Sequence, residues 1–142
     1  MNINTSNVPS LVTAALVPEA NRLNFLPRHF GRLMMVVERE VFTQMRDLCE
    51  SYSGGFFDFY DLSNGGCFMA LSQSEPLKIE VLGNGYAGTL SAEAAGIVVT
   101  LFALNRLSFR FPHLECLAER FYQLREFASD HPEAGEIFAA ID

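Results

Sequence analysis

A turn between two aromatic runs is the feature that most constrains this chain. Residues 56–62 and 67–71 are rich in aromatic and apolar side chains, and Asn64 and Gly65 lie between them. Asn and Gly tolerate the positive φ angles that a tight hairpin turn requires. Gly54 and Gly55 precede the first run and allow a sharp exit from the preceding segment. The stretch therefore predicts a β-hairpin at the centre of the fold.

A third strand is predicted over residues 77–82, where apolar and charged residues alternate. This period of two is typical of a strand with one face in the core and the other in water. Because the links between the three strands are short, we expect an antiparallel meander. Residues 83–88 form a glycine-rich segment that we interpret as a turn out of the sheet, since its spacing matches neither the dinucleotide fingerprint nor the P-loop.

Helices are predicted on both sides of these strands. Residues 33–52 carry apolar side chains with a period close to 3.6, which is typical of an amphipathic helix. Residues 92–107 are apolar on nearly all faces, so we expect a central helix packed on the sheet. Two more helices are expected over 113–129 and from 132 onward. Upstream, Pro27 is expected to break the chain into short helical turns ending near Gly31.

These elements predict an α+β fold. We expect a three-stranded antiparallel β-meander packed with about four α-helices, in a single domain over residues 17–142. The segment 1–16 mixes small polar residues with a modest apolar content, so we expect a flexible N-terminal arm.

The charge of the chain is uneven. Its net charge is −7; residues 19–46 hold five Arg and three acids, whereas residues from 47 onward hold 14 acids and five bases. The acidic part disfavours stable direct DNA binding, which depends on neutralising phosphates. The first part contains a basic cluster of Arg28, Arg32, Arg39 and Arg46. A nucleic-acid-binding accessory protein that uses this cluster is therefore one alternative.

The chain's location is predicted from cysteine usage and from the length of its apolar segments. Three well-separated Cys without a CxxC pair are typical of reduced thiols, so we expect a cytoplasmic protein. No apolar run reaches the roughly 18 to 20 residues that span a bilayer, so no membrane association is expected. Residues 1–17 contain no Lys or Arg, so no secretory signal is expected.

Few residues have the spacing that chemistry requires. Cys116 and His113 lie three apart on one predicted helix face, and a small thiol-dependent hydrolase using them is the other alternative. A surface helix excludes water poorly, and no oxyanion loop is evident. His29, His113 and His131 are scattered and match no metal-site spacing. We therefore predict no catalytic, metal-binding or cofactor-binding residue and no cofactor.

Several motifs in order carry a family resemblance. They are VPEA at 17–20, FLPRHFGR at 25–32, YSGGF at 52–56, LSNGG at 62–66, FMA at 68–70, GNG at 83–85, SAEAAGIV at 91–98, TLFALN at 100–105 and HPEA at 131–134. Together they resemble the ArdB/KlcA antirestriction proteins of plasmids and other mobile elements, from about residue 17 to the C-terminus. The resemblance implies a non-enzymatic inhibitor that relieves type I restriction of incoming DNA.

The implied partner is a type I restriction–modification complex or an associated host DNA-processing factor. Full-length mimicry of DNA fits poorly, because only 17 of the 142 residues are acidic and the basic cluster is present. Asp142 places its carboxylate beside the α-carboxylate at a helix C-terminus, where both oppose the helix dipole. Our candidate partner-contact residues are Asp142, Glu136, Arg28 and Arg32.

Overall fold

An apolar helix lies at the centre of the protein, as its sequence predicted. The computed structural model describes residues 11–142. The elements of the described chain, in order, are β1 (Ala14–Leu16), α1 (Arg22–Phe30), α2 (Met34–Leu48), β2 (Phe57–Leu62), β3 (Cys67–Leu71), β4 (Leu77–Val81), β5 (Tyr86–Leu90), α3 (Ala92–Arg110), α4 (Glu115–Ser129) and α5 (Ala134–Ile141). The central helix is α3, which packs against the helices α2, α4 and α5 and against the strands β3, β4 and β5.

The strands form two small antiparallel sheets. The predicted hairpin is present as β2 and β3, in which Phe59 lies opposite Met69. The α+β class is thus confirmed, but the meander is wrong in its third strand. Strand β4 pairs with β5 in a separate sheet, and the third strand of the first sheet is β1. Residues 14–16, which we expected in the flexible arm, therefore form an edge strand, while residues 1–10 of that arm lie outside the described residues.

The turn from β4 to β5 has a local cause. Gly85 has a φ of 75°, a value that L-residues rarely adopt, and it closes the tight link between the two strands. The side-chain oxygen of Asn84 accepts a hydrogen bond of 2.9 Å from the backbone N–H of Tyr86. The segment that we expected to leave the sheet therefore turns the chain back along β4.

Helix α1 corrects the prediction of short turns before residue 31. It runs through Pro27 and ends at Gly31, whose φ is 53°. A proline inside a helix costs about 3 kcal/mol. The helix buries Phe25, Leu26 and Phe30, and each such side chain contributes about 1.5–3 kcal/mol. This burial outweighs the missing backbone hydrogen bond, so the described chain has five α-helices where about four were expected.

The close packing of α3 on β3 depends on small residues. Gly96 faces the backbone of Met69 and Ala70, and a Cβ at position 96 would lie 2.7 Å from the Cα of Ala70. One turn later, the hydroxyl of Thr100 accepts a hydrogen bond of 3.2 Å from the N–H of Met69. Helix α3 has the length and hydropathy of a membrane-spanning segment, but the protein's own elements bury most of it, as in a core helix.

Candidate partner-contact site

The outer face of α4 presents charged and aromatic side chains. Helix α4 packs on α3 through Leu117, Leu124 and Ala128, which are fully buried. Residues three and four apart share one face of a helix. The face of α4 that points away from α3 is exposed and carries Glu115, Glu119, Tyr122 and Glu126. Tyr122 is the exposed aromatic on this acidic stripe.

Tyr122 and Arg125 lie between two grooves near the C-terminus. One groove, of about 270 Å³, is also lined by Phe102, Asn105 and Asp142. The other, of about 410 Å³, is also lined by Phe138 of α5. We call Phe102, Tyr122, Arg125, Phe138 and Asp142 the C-terminal surface.

The cation of the C-terminal surface is available to a partner. The guanidinium carbon of Arg125 lies 5.3 Å from the ring centre of Phe138, which is a cation–π distance. Arg125 forms no ion pair with any residue between 11 and 142. Tyr and Arg beside apolar pockets are typical of residues that contribute most to protein–protein binding. The arrangement fits contact with a macromolecule better than enclosure of a small substrate.

The two acidic candidates, one within α5 and one directly after it, differ in their surroundings. Asp142 is exposed and lines the first groove, so it belongs to the C-terminal surface. Glu136 instead accepts a hydrogen bond of 2.7 Å from the hydroxyl of Tyr86. Burial, together with this carboxylate, raises the pKa of Tyr86 to about 12. Glu136 therefore joins α5 to β5 and is already engaged within the fold.

The two basic candidates lie on other elements. Arg28 donates two hydrogen bonds to Asp61, of 3.2 and 2.9 Å, so its charge is already paired with a residue of the same chain. Arg32 is exposed and forms no ion pair within the described part of the chain. Helix α5 packs on α3, α4 and the second sheet, whereas α1 packs on α2. The structure thus does not gather the four predicted residues in one site.

The cysteines and histidines do not form an evident reactive centre. Cys116 is half-buried in the first turn of α4, and His113 is exposed in the turn before it. No hydrogen bond joins them in the structure described for residues 11–142. Burial raises the pKa of Cys67 to about 12, which disfavours its thiolate. Within those residues, no three His, Cys, Asp or Glu side chains are grouped as metal ligands would be.

Fold and surface together define a small α+β protein with open contact grooves. A family model described as "Antirestriction protein" matches residues 50–142. The antirestriction protein KlcA of Escherichia coli is 50% identical over 144 residues, covering 99% of this chain and 100% of the relative. The protein YafX of Escherichia coli strain K12 is 38% identical over 135 residues, covering 92% of this chain and 88% of the relative.

A solved structure has the same fold. It is 49% identical, covers 100% of both chains and superposes with a TM-score of 0.88. The KlcA and ArdB proteins of that work are described as showing a novel fold and antirestriction activity against type I DNA restriction systems in vivo but not in vitro. This chain belongs to the ArdB/KlcA antirestriction family.

Three side chains of the C-terminal surface were not among the contact residues predicted from the sequence. Arg125, Tyr122 and Phe138 were not singled out, because a helical pattern does not show which exposed residues border a groove. One signal was available. Glu115, Glu119, Tyr122 and Glu126 follow the spacing of a single helix face, and aromatic residues such as Tyr are enriched at protein–protein interfaces.

Proposed function

We propose that this protein relieves type I restriction of incoming DNA in the cell and that it does so by binding a macromolecular partner. The observation that carries the proposal is the match to KlcA along the entire chain, at half identity and with the same fold. An activity that related proteins show in vivo but not in vitro requires a component that a purified assay lacks. We therefore place the action on a host factor that works with the restriction complex.

The charge distribution supports contact with a protein rather than imitation of DNA. A DNA mimic needs a continuous surface of carboxylates, but Arg32, Arg39 and Arg46 are all exposed on one side of this protein. The C-terminal surface supplies the contact site, because it combines two adjoining grooves with an exposed Tyr and an Arg that forms no ion pair among residues 11–142. Asp142 contributes a carboxylate at its edge.

The proposed action is non-enzymatic. This proposal is supported by the positions of Cys116, which is half-buried, and His113, which is exposed. The two side chains make no hydrogen bond to each other in the described structure. A thiol-dependent hydrolase would lose its activity on substitution of the nucleophile. We expect Cys116→Ser to relieve restriction as well as the wild type.

The experiment is the plating of unmodified phage on a type I restricting host. Expression of the chain is expected to raise plating efficiency toward that of an isogenic host without the restriction genes, and an empty vector is the control. The purified protein is also mixed with purified restriction enzyme and unmodified DNA, where no inhibition of cleavage is expected. Unchanged plating would refute the function, and inhibition in the purified mixture would refute the need for a host factor.

A further inference from the structure

A groove between α1 and α2 exposes apolar side chains that no element of the described protein covers. The groove, of about 360 Å³, lies where both helices border β2. Its apolar lining comes from both helices and the strand, and consists of Leu23, Leu26, Pro27, Met34, Met35 and Phe59. Leu26 and Phe59 are buried at its base, whereas Leu23 is 91% exposed and Met35 is 65% exposed.

This exposure is unusual for side chains of such size. Scattered single apolar residues are normal on a protein surface, but neighbouring ones that line one concavity mark an interaction site. Met35 and Met34 add a further property, because unbranched thioether side chains adapt their shape to different partners. The groove therefore has the composition of a helix-binding site, in which apolar residues of a partner helix enter between two helices.

The groove is lined by one cation, Arg22, and one anion, Glu38, and two further arginines flank Met35 along the chain. Arg22 is held in place, since it donates a hydrogen bond of 2.7 Å to the carbonyl of Phe57 and its guanidinium carbon lies 4.1 Å from the ring centre of Phe56. Arg39 follows Met35 by four residues, on the same face of α2, and Arg32 precedes Met35 in the adjoining 3₁₀ turn. None of the three forms an ion pair between residues 11 and 142.

We propose that this groove binds an amphipathic α-helix of a partner protein, whose apolar face is flanked by acidic residues. Arg32 and Arg39 are seven residues apart, which corresponds to about 11 Å along the 3₁₀ turn and α2. Acidic residues seven apart on a partner helix repeat at a similar distance of about 10 Å, so both can face an arginine. The apolar lining supplies burial, and the arginines select for negative charge.

Two other occupants fit less well. A nucleic acid would lay phosphates against the arginines, but it offers no apolar side chains for the apolar lining of the groove. A second copy of this chain could offer the acidic face of α4. That face presents Tyr122 as its only exposed large apolar residue within the described chain, so it cannot fill an apolar groove. Apolar content together with acidity is what distinguishes the proposed partner.

The test is photo-cross-linking of the full chain inside a type I restricting host. The amino acid p-benzoylphenylalanine replaces Leu23 at the groove and, as the matched control, Leu82, which is 93% exposed at the end of β4. Cross-linked products are digested and the attached peptide is sequenced by mass spectrometry. The readout is the identity of that peptide and does not use relief of restriction, so this inference and the proposed function can fail separately.

The expected product at Leu23 is a peptide of another protein with helical apolar periodicity and net negative charge. Its yield should fall at least fivefold with Arg39→Glu or Arg39→Gln, because Arg39 lies one turn from the groove residue Met35. It should stay unchanged with Arg46→Glu, because Arg46 lies about two turns further along α2 and lines a separate pocket. The proposal is overturned by a product with nucleic acid, lipid or a second copy. It is also overturned by a partner peptide without acidic residues, by a yield insensitive to Arg39, or by no more product than at Leu82.

Discussion

The imidazole Nε2 of His29 lies 2.6 Å from Oδ1 of Asp61, and this contact joins α1 to β2. Asp61 is ionised at neutral pH and can only accept a hydrogen bond. Nε2 of His29 therefore carries the ring proton and donates a hydrogen bond to the carboxylate. The other ring nitrogen, Nδ1, is buried without a hydrogen-bond partner in the described structure. Arg28 completes the cluster with its two hydrogen bonds to the same carboxylate.

This cluster makes stability depend on pH through two groups with separate windows. Burial lowers the pKa of His29 below its ordinary 6.5 despite the opposing effect of Asp61. Burial alone would raise the pKa of Asp61, but the hydrogen bonds from Arg28 and His29 outweigh it and hold that pKa below 3.8. Since His29 is neutral near pH 7, Arg28 is the partner that keeps Asp61 ionised there.

The contribution of His29 to stability is therefore expected to fall as the pH is lowered from 7.5 to 5. In that window the unfolded chain protonates His29 while the folded chain resists protonation, and stability rises with pH wherever the unfolded state binds more protons. The contribution of Asp61 is lost only at lower pH, as the pH falls through its depressed folded-state pKa. Urea unfolding at several pH values should give a shallower slope for His29→Gln. His113→Gln, at an exposed position, should keep the wild-type slope; equal slopes for all three proteins would contradict the assignment.

Gly96→Ala should destabilise the protein strongly. The new Cβ would overlap the Met69 carbonyl and the Ala70 side chain, so α3 and β3 must separate. Overpacking of this kind costs typically about 1–3 kcal/mol, measured as a loss of unfolding free energy in urea. Gly135→Ala in α5 is the control, because nothing lies within 4 Å of its Cβ position. It should stabilise by about 0.4–1 kcal/mol, and equal effects at the two sites would disprove the close approach.

Elements with strong local patterns were predictable from the sequence. The β2–β3 hairpin follows from aromatic runs around Asn64 and Gly65, and α3 follows from a continuous apolar segment. Strand β5 was missed because Ala87 and Gly88 at its centre have low β propensity. Strand β5 forms because the turn at Gly85 places these residues beside β4, where their backbone groups can pair with that strand. Strand β1 is exposed along its length, so no hydrophobic periodicity encodes it.

Tertiary context also decided the places where local rules failed. Pro27 is a helix breaker by local chemistry, yet Phe25 and Phe30 bury enough apolar surface to keep α1 intact. Among the candidate contact residues, Arg28 looked free in the sequence because its partner Asp61 is 33 residues away. Charge pairing between residues so far apart in the chain depends on the fold. The sequence alone therefore could not distinguish the exposed charges of Arg32 and Asp142 from the paired charge of Arg28.

Ser91→Ala should lower the unfolding free energy by about 1–2 kcal/mol. The hydroxyl of Ser91 caps α3 by accepting a hydrogen bond of 3.1 Å from the N–H of Ala94, and loss of such a cap has this typical effect. The same hydroxyl and the N–H of Ser91 donate to the carboxylate of Glu133, which precedes α5. Ser108→Ala is the control within α3, because Ser108 is half-buried and its hydroxyl bonds only to the local Asn105 carbonyl in the described structure. It should change stability by less than about 0.5 kcal/mol, and a similar loss at both sites would count against the capping role.

Arg125→Glu should reduce relief of restriction without unfolding the protein. Arg125 is exposed between the two grooves of the C-terminal surface, so its reversal leaves the core intact but opposes a partner that contacts its charge. Loss of a binding hot spot costs about 2 kcal/mol or more, which is roughly a 30-fold loss of affinity. Plating of unmodified phage at limiting expression measures this loss, with urea unfolding and protein abundance checked in parallel.

The chain offers a matched control for that charge reversal. The guanidinium carbon of Arg110 lies 5.7 Å from the ring centre of Phe111, which is close to the 5.3 Å between the same groups of Arg125 and Phe138. Arg110, however, lies at the end of α3 and lines neither groove of the C-terminal surface. Arg110→Glu should therefore retain full relief of restriction, while Tyr122→Ala should share the defect of Arg125→Glu. If the two arginine reversals behaved alike at equal stability and abundance, general surface charge rather than the C-terminal surface would govern the activity.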